Sequence, residues 1–444
     1  MLETFHLALR LVGDVSHAVV IADLFAISAF GLAPLWLLMH HVRLKRTALR
    51  EERELLASPM PPDAELPHVL VQIPSFNEGS LVRRIGETIA KLDWPRDKLH
   101  IQILDDSTDE SALAAREAAA QLSGLGIDAI LLHRTLRTGF KAGALAAGLA
   151  HSSCEFVAIF DVDYLPPPDF LRACMRPMLL EPRLGLVQAR CDFLNGRENP
   201  LTAAQQRLLD AHFAVEQATR SWLRLLLPFN GTCGIWRRAA IEAAGGWQGD
   251  TLSEDMDLSY RMQSMGWTGR YLVTVTVPGE LPSSLDTWRT QQFRWAKGFA
   301  QAARKLMPIV WRSSLPPRVK AATLVHLASS SMNSLLCGAF IAVPVDLMLG
   351  PGLTPIATAL LWLAIAESVV GGIAQVLLGQ SMARGADPLY ELRNVPSVAW
   401  FGLRVAFSNA RGIVEAFVGR SSAFVRTPKK AGGNHAIAAA REDR

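Results

Sequence analysis

The chain has 444 residues, of which 50% are hydrophobic and only 19% are charged. This composition excludes collagen-like and wholly disordered proteins, and it favours membrane-spanning segments beside a folded core. With 45 basic and 41 acidic residues and no dominant basic stripe, we expect no nucleic-acid partner. The five cysteines are widely spaced without a CxxC pair, which argues against a zinc site and against a disulfide framework.

Three apolar stretches are long enough to cross a bilayer: residues 18–39, 321–349 and 353–378. The first contains Asp23 as its only charged residue, and its length favours a retained anchor over a cleaved signal peptide. The second and third meet at a Gly-Pro-Gly sequence, which predicts a transmembrane hairpin. For each stretch the alternative interpretation is a buried core helix.

Basic residues cluster directly after the first stretch, whereas the predicted hairpin turn carries no charge. Because positive charge marks the cytoplasmic ends of spans, the region between the spans is predicted to be cytoplasmic. A fourth apolar stretch, residues 395–418, contains Arg404, Arg411 and Glu415. We interpret it as a helix in the plane of the membrane interface.

Short apolar runs alternate with helical patterns between residues 66 and 280. The predicted strands are residues 68–73, 100–104, 129–132, 156–160 and 184–188. This alternation predicts an α/β, Rossmann-like domain with a mostly parallel sheet and helices on both faces. Ligands bind beyond the carboxyl ends of the strands in such sheets, so the polar residues that follow each strand are candidates for a site.

Two aspartates, Asp161 and Asp163, come directly after the fourth predicted strand. In an extended chain, carboxylates two residues apart point to the same side and can share one hard cation, Mg²⁺ or Mn²⁺. Such a cation would stabilise a diphosphate leaving group. The alternative is a solvated turn at the end of the strand.

Three further segments carry polar residues with two interpretations each. Asp105 and Asp106 follow the second strand and could accept hydrogen bonds from a ribose or a base, or could cap the helix predicted at residues 110–121. Lys141 opens another helical pattern, which suits either an anion site or a plain helix start. Glu254 and Asp255 begin a third helical pattern and could be caps, or one of them could be a general base.

A later amphipathic stretch contains Gln291, Arg294 and Trp295. The guanidinium of Arg294 can bind a phosphate through two hydrogen bonds, and the indole of Trp295 can stack on a sugar ring. An interfacial helix with ordinary Arg and Trp anchors would show the same residues.

Taken together, the motifs resemble the processive branch of glycosyltransferase family 2, the branch of the cellulose synthases and the cellulose-synthase-like mannan synthases. The resemblance covers residues 68–430. The matching motifs, in order, are the PxYNE-like residues 74–78, DDSTD at 105–109, KAGAL at 141–145, the DxD of Asp161 and Asp163, the xED of Glu254 and Asp255, QxxRW at 291–295, and FxxTxK at 424–429.

The resemblance implies a GT-A fold with transmembrane helices at both ends, and inverting transfer of a hexose from a UDP- or GDP-sugar. It assigns Asp255 as the catalytic base, with Asp161 and Asp163 as ligands of Mg²⁺ or Mn²⁺. Donor-binding residues would be Pro74, Phe76, Glu78, Asp105, Asp106, Lys141, Asp161, Gln291, Arg294, Thr427 and Lys429. Acceptor-binding residues would be Glu254, Trp295, Gly231 and Thr232. Phe76 stands where the family usually has tyrosine, and Ser253 where threonine is frequent.

The leading hypothesis is an integral membrane enzyme, in contact with membrane lipid, that extends a β-linked glycan of the cellulose, mannan or glucomannan kind. The alternative is transfer of a single sugar to a lipid acceptor. Polymer-secreting relatives carry more spans than the three predicted here, and a short membrane region favours this alternative. Three spans are too few for a complete polymer channel in one chain, so we expect one of three arrangements. Residues 395–418 contribute to the channel, copies of the chain pair as a homo-oligomer, or no long polymer is exported. A transporter or a non-catalytic scaffold would leave the motifs unexplained.

The predicted location is the bacterial inner membrane, with the catalytic domain in the cytoplasm. The predicted segments are an N-terminal transmembrane anchor at 1–42, a linker at 43–65, the GT-A domain at 66–280, interface helices with QxxRW at 281–320, a transmembrane hairpin at 321–379, a loop and interface helix at 380–420, and a gating loop and tail at 421–444.

Overall fold

The computed structural model describes residues 2–420. Thr427 and Lys429, with the FxxTxK motif and the predicted tail, therefore lie outside the described residues. The strands, in chain order, are β1 (Val69–Ser75), β2 (Leu99–Asp105), β3 (Asp128–His133), β4 (Phe156–Ile159), β5 (Leu184–Phe193), β6 (Gly234–Arg237) and β7 (Thr268–Gly279). They form one seven-stranded sheet in the order β3-β2-β1-β4-β6-β5-β7.

The sheet is mixed, because β6 runs antiparallel to both of its neighbours, β4 and β5. The other pairs of neighbours are parallel. All five predicted strands are confirmed, and the sheet has the mostly parallel architecture expected. The sequence patterns did not predict β6 or β7. With only four residues, β6 is too short to give a period of its own, and it forms by pairing between two distant strands.

The helices, in chain order, are α1 (Leu2–Leu56), α2 (Leu81–Ile89), α3 (Ser111–Gly124), α4 (Phe140–Ala150), α5 (Phe170–Leu180), α6 (Pro200–Asp210), α7 (Ala218–Trp222), α8 (Arg238–Ala243), α9 (Glu254–Ser264), α10 (Leu285–Arg312), α11 (Pro317–Ala328), α12 (Met332–Leu349), α13 (Pro355–Arg384), α14 (Pro388–Glu391) and α15 (Val395–Val418). A π-helical segment, Ala211–Gln217, joins α6 to α7.

Helices cover both faces of the sheet. Alternate residues of β1 point to opposite faces, so Val71 belongs to the core beneath α2, α3 and α5, and Leu70 to the core beneath α4 and α9. Two buried amides also lie under α4, where Gln72 Nε2 donates to Gln102 Oε1 at 3.0 Å. Helix α4 approaches them so closely that a Cβ on Gly148 would lie 2.5 Å from both amide groups.

Parallel pairing aligns the carboxyl ends of the first strands. Ser75 pairs with Asp105, and Asp105 pairs with His133 on the far side. Gln72 pairs with Ile159, which brings the chain after β4 to the same edge. The polar segments that follow the strands therefore meet, as the fold class predicted.

Three described helices are long and apolar enough to cross a membrane: Thr4–Leu56, Pro317–Leu349 and Pro355–Arg384. They contain the first two stretches that the sequence predicted and all but the first two residues of the third. Helix α12 runs antiparallel to α1, since Gly13 meets Leu349 and Asp23 meets Gly338. Helix α13 returns alongside α1, with the Ser28 hydroxyl donating to the Leu360 carbonyl at 3.4 Å. The predicted hairpin thus packs on the N-terminal helix.

One segment that was predicted to be a linker is helical, and the helix predicted at residues 395–418 has a packing partner that the sequence did not predict. Residues 43–56, expected to be a linker, continue α1 without a break. Their Arg, Glu, Leu and Ala residues are good helix formers, so charge alone does not end the helix. Residues 395–418 form a helix, α15, and its position in the membrane interface stays a prediction. This helix packs along α10, where Lys297 Nζ lies 3.0 Å from Glu415 Oε2.

Candidate active site

A cavity of about 690 Å³ opens at the carboxyl edge of the sheet. It is lined by residues of the strand ends, of the loop before β6, of the start of α9 and of one face of α10. Among its lining residues are these sequence-predicted ones: Pro74, Phe76, Glu78, Asp106, Lys141, Asp161, Asp163, Gly231, Thr232, Glu254, Asp255, Gln291, Arg294 and Trp295. The structure therefore brings together motifs that are spread over half of the sequence.

Asp105 is placed differently. It is fully buried and does not line the cavity. Its Oδ2 lies 2.8 Å from His133 Nδ1, and its Oδ1 accepts from the Ser107 backbone N–H at 3.2 Å. This carboxylate stabilises the loop beneath the site. Asp105 also does not cap α3, since that helix begins at Ser111, whose N–H donates to Asp109 Oδ1.

Asp106 is in the cavity wall, where Arg134 holds it. Arg134 donates to both of its carboxylate oxygens, with Nε–Oδ1 and Nη2–Oδ2 distances of 2.7 Å and 2.6 Å. The capping interpretation is therefore wrong for Asp106 as well. The guanidinium of Arg137 lies over the Phe76 ring, 3.5 Å from its centroid. Arg137 was not among the predicted site residues, although its position just before the KAGAL motif was a usable signal.

Lys141 reaches into the cavity from the first turn of α4. Gly139, with φ of 70°, lets the chain turn into this helix. The Lys141 ammonium donates to Asp161 Oδ1 at 2.5 Å and to the Gly231 carbonyl at 2.8 Å. Burial alone would lower the pKa of Lys141, but the negative charges of Asp161 and Glu254 outweigh it and raise the pKa. The side chain is therefore a fixed cation.

Asp161 and Asp163 are the residues that could hold a cation. The Asp161 N–H donates to Thr232 Oγ1 at 2.9 Å, which fixes the strand end, and Asp163 is buried. Within residues 2–420 no group of three or more His, Cys, Asp or Glu side chains could hold a metal alone. Two hard carboxylates nevertheless fit Mg²⁺ or Mn²⁺, since such ions are often held by one or two carboxylates together with substrate phosphates.

Helix α9 presents an acidic pair to the cavity. Glu254 and Asp255 occupy its first turn, and Asp255 Oδ1 accepts from the Met256 N–H at 2.8 Å. Burial, and then the charge of Glu254, raise the pKa of Asp255 to about 7. Burial also raises the pKa of Glu254, while Lys141 opposes that rise. A carboxylate with a pKa near 7 is well suited to accept a proton at neutral pH.

The loop before β6 lies against both Asp255 and Lys141. Gly231 has φ of 78°, a conformation that favours glycine. A Cβ on Gly231 would lie 2.9 Å from Asp255 Oδ2 and 3.4 Å from Lys141 Nζ. The loop therefore packs directly against the Asp255 carboxylate and the Lys141 ammonium.

One face of α10 closes the cavity. The Ser284 hydroxyl begins the helix by accepting from the Thr287 N–H at 3.3 Å. Helical spacing then places Trp288, Gln291, Trp295 and Phe299 on the lining. Arg294 also lines the cavity; burial lowers its pKa, while Glu254 and Asp161 oppose this.

The far part of the cavity was not predicted. Its lining continues past α10 to α6, the π-helical segment, α11, α12 and α15. Residues that contribute there include Gln205, His212, Phe213, His326, Asn333 and Asn409. Taken as a whole, the cavity offers three cationic side chains, Arg137, Lys141 and Arg294, opposite carboxylates. A ligand with a diphosphate and several hydroxyls would match these groups.

Comparison with known proteins gives consistent matches. The family described as Glycosyltransferase like family 2 matches residues 67–298. Glucomannan 4-beta-mannosyltransferase 2 of Arabidopsis thaliana is 44% identical over 275 residues, which is 61% of this chain and 50% of the relative. Glucomannan 4-beta-mannosyltransferase 1 of Oryza sativa subsp. japonica is 40% identical over 274 residues, 60% of this chain and 53% of the relative. The chain thus spans about half the length of these relatives.

Among solved structures, the mannosyltransferase PcManGT from Pyrobaculum calidifontis, in complex with GDP-Man and Mn²⁺, has a TM-score of 0.62 and 24% sequence identity. The match covers 90% of this chain and 100% of that chain. The two proteins share their fold, which is the expected α/β GT-A fold with apolar helices on both sides of the sheet domain in sequence.

Proposed function

The chain belongs to the glycosyltransferase like family 2, and we propose that it is an inverting mannosyltransferase. It transfers a mannosyl group from GDP-mannose to the growing end of a β-linked glycan. The observation that carries this proposal is the arrangement around Gly231, where a carboxylate with a pKa near 7 faces a lysine that points to the DxD motif. The names of the relatives and the ligand of the structural neighbour support the choice of donor.

The diphosphate of the donor binds beside Lys141 and Arg294. Both are cations in the cavity wall, and Gln291 lies one turn before Trp295 on the same face. Asp161 and Asp163 would hold Mg²⁺ or Mn²⁺ here. Such an ion supplies charge neutralisation for the diphosphate as it leaves. Lys141 and Arg294 stabilise the same charge by direct hydrogen bonds.

The nucleoside part lies at the ends of β1 and β2. Phe76 and Arg137 already stack there and offer a flat surface for a base. Pro74, Glu78 and Asp106 line the same part of the cavity. Asp105 supports this region from below through His133 and Ser107.

Asp255 is the catalytic base. In the reaction its carboxylate removes the proton from a hydroxyl of the acceptor, whose oxygen forms the new bond to the anomeric carbon while the bond to the diphosphate breaks. Attack on the face opposite the leaving group inverts the anomeric configuration, so an α-linked donor gives a β-linked product. Trp295, Glu254 and the Gly231–Thr232 backbone flank the terminal sugar of the acceptor in this arrangement.

The membrane location is part of the proposal. Three apolar helices of sufficient length support an integral membrane protein, and the basic residues after the first span support a cytoplasmic catalytic domain. The bacterial inner membrane remains our proposed location, and pairing of copies remains a prediction.

A donor panel tests the function. The purified full chain is incubated with GDP- and UDP-hexoses and Mg²⁺ or Mn²⁺, and nucleotide release and product size are followed. We expect the fastest turnover with GDP-mannose and a product of several sugars. A product with one sugar that partitions into organic solvent would favour a lipid acceptor. A lack of turnover with every donor would contradict the proposal.

A further inference from the structure

Seven basic side chains gather where the first two apolar helices meet the sheet domain, and we call them the basic collar. They are Arg43, Lys45 and Arg46 on α1, Arg224 in the turn after α7, and Arg312, Arg318 and Lys320 at the corner between α10 and α11. The five arginines are exposed, and the two lysines are half-buried. The segments 40–50, 218–228 and 304–320, which carry the collar, contain no aspartate or glutamate.

One apolar core holds the three segments together. It contains buried residues from each of them: Leu37, Leu225, Val310 and Val319. Helix α1 is also joined to α7 directly, because His41 Nδ1 lies 2.9 Å from Thr219 Oγ1. Arg224 and Arg318 each directly precede a member of the core in sequence. The collar therefore surrounds this core.

The collar lies at the level where two apolar stretches end. The first stretch ends at residue 39, just before Arg43, and the second begins at residue 321, directly after Lys320. Trp311 is 69% exposed, and its carbonyl accepts from Lys320 Nζ at 3.0 Å. Exposed tryptophans are typical of the boundary between hydrocarbon and lipid headgroups. In a membrane crossed by these helices, the collar is at the depth of the lipid phosphates.

The charge of the collar selects one class of lipid. Clusters of four to eight Lys and Arg residues next to a membrane span attract anionic headgroups. Guanidinium groups bind phosphate oxygens through two hydrogen bonds, and the five arginines are available at the surface. Next to the collar, Trp36 and Met39 are exposed on the apolar part of α1, where acyl chains can pack. An anionic phospholipid satisfies both surfaces, whereas free phosphate satisfies only the first.

The core inside the collar also includes the helix that carries the proposed base. Met256 and Tyr260 on α9 belong to it, together with Leu306 on α10. Asp255 directly precedes Met256 in the first turn of α9. A ligand that links α1, the turn after α7 and the corner between α10 and α11 therefore stabilises the packing that positions Asp255.

We propose that the basic collar binds the phosphates of anionic phospholipids, and that the bound lipid holds α9 in its catalytic position. The binding stands on the collar alone, whereas the effect on turnover rests on the proposed function. Anionic lipid is thus a partner that supports the reaction without entering it.

The test compares the purified full chain in nanodiscs of phosphatidylcholine with and without phosphatidylglycerol. We expect phosphatidylglycerol to raise the thermal midpoint, because a ligand of the native state stabilises it. It should also raise kcat by about fivefold, the lower end of ordinary coupling between sites, without changing the affinity for GDP. Inorganic phosphate added to phosphatidylcholine discs should do neither.

A collar variant tests the assignment of the site. The triple variant Arg224→Gln, Arg312→Gln and Arg318→Gln leaves the basic residues that follow the first span, which set the orientation in the membrane. Each substitution should weaken lipid binding by roughly fivefold. The variant should therefore need a larger fraction of phosphatidylglycerol for half of the rise in thermal midpoint. If it does not fold, raised ionic strength should weaken the response of the wild type in the same direction.

The matched control removes the same charge elsewhere. Lys91→Gln, Arg96→Gln and Arg116→Gln change three exposed residues of the sheet domain outside the collar. This variant should respond to phosphatidylglycerol as the wild type does. An equal loss of response in both variants would show that net charge, and not the collar, attracts the lipid.

The outcomes separate this proposal from the proposed function. A wild-type thermal midpoint that does not respond to phosphatidylglycerol, or that responds equally to inorganic phosphate, overturns the lipid site. A rise in thermal midpoint with unchanged kcat overturns the link to Asp255 alone. No turnover from GDP-mannose in any nanodisc contradicts the proposed function, while the thermal midpoints still decide whether the collar binds anionic lipid.

Discussion

Gly231 packs directly against Asp255, so closely that a Cβ on the glycine would lie 2.9 Å from Asp255 Oδ2. The carbonyl of the same glycine accepts a hydrogen bond from Lys141 at 2.8 Å. A single peptide unit therefore sets the positions of both the proposed base and the proposed diphosphate ligand. Small displacements of this loop should affect catalysis more than stability.

Gly231→Ala tests this relationship. The added methyl group must displace the Asp255 carboxylate, and a misplacement of about 1 Å can cost roughly a hundredfold in rate. The substitution also places alanine at φ of 78°, which costs about 1–2 kcal/mol. We expect a loss of turnover of at least that order together with a moderate decrease in the thermal midpoint.

Gly126→Ala is the control for backbone strain. Gly126 has φ of 75°, and a Cβ there would meet nothing within 4 Å. It should lower the thermal midpoint to a similar extent and leave turnover intact. Equal loss of turnover in both variants would contradict the role assigned to the Gly231 loop.

Asp255→Asn removes the proposed base without changing the size of the side chain. General base catalysis contributes roughly a hundredfold to ten-thousandfold, and kcat should fall by that factor. Binding of GDP, measured by calorimetry, should change much less, because the donor contacts remain. Asp128→Asn, on the surface at the start of β3, is a matched control. Full activity in Asp255→Asn would disprove the assignment.

The pH profile reports the state of Asp255. Burial and the charge of Glu254 raise the pKa of Asp255 to about 7. A base acts only when deprotonated, so kcat/KM should fall by about tenfold per pH unit below pH 7 and level off above it. Without these effects the acidic limb would lie near pH 4, where an ordinary aspartate titrates.

Glu254→Gln tests whether the acidic limb of the pH profile belongs to Asp255. Removing the neighbouring negative charge lowers the pKa of Asp255, so the acidic limb should move to lower pH whatever the effect on the maximal rate. A limb that stays in place or moves upward would show that another group titrates.

Turnover should depend on a bound metal ion, and substitution of Asp163 should weaken the binding of that ion. Chelation by EDTA should lower kcat by roughly a hundredfold or more, because Lewis acids contribute several kcal/mol to leaving-group stabilisation, and Mn²⁺ should restore it. Asp163→Asn should raise the Mn²⁺ concentration needed for half-maximal turnover. Unchanged turnover in EDTA would contradict the assignment of Asp161 and Asp163.

The strands that could be predicted from the sequence are those with a local hydrophobic pattern. Strands β1 to β5 are apolar runs, and their period is readable in isolation. The order of the sheet was not readable, because β6 is inserted antiparallel between β4 and β5 by pairing of residues distant in sequence. Helix α1 was underestimated, because residues 43–56 are charged and the prediction stopped at the end of the apolar run.

The candidate site was predicted from motifs, and the motifs meet in one cavity as expected. What one sequence could not show is how each side chain is used. Asp105 and Asp106 look equivalent in sequence, but His133 holds the first below the site and Arg134 holds the second in the wall. Part of the far cavity wall was missed because His326, Asn333 and Asn409 lie on helices that were interpreted only as membrane elements.

The configuration of the new glycosidic bond tests the central claim most directly. The purified chain is given GDP-mannose labelled at the anomeric carbon, mannohexaose and Mn²⁺, and the anomeric signal of the product is read by NMR. Inverting transfer with Asp255 as base predicts a β-linked mannosyl unit that forms in the wild type and forms at least about a hundredfold more slowly in Asp255→Asn. An α-linked product, or no product from the wild type, would contradict the account.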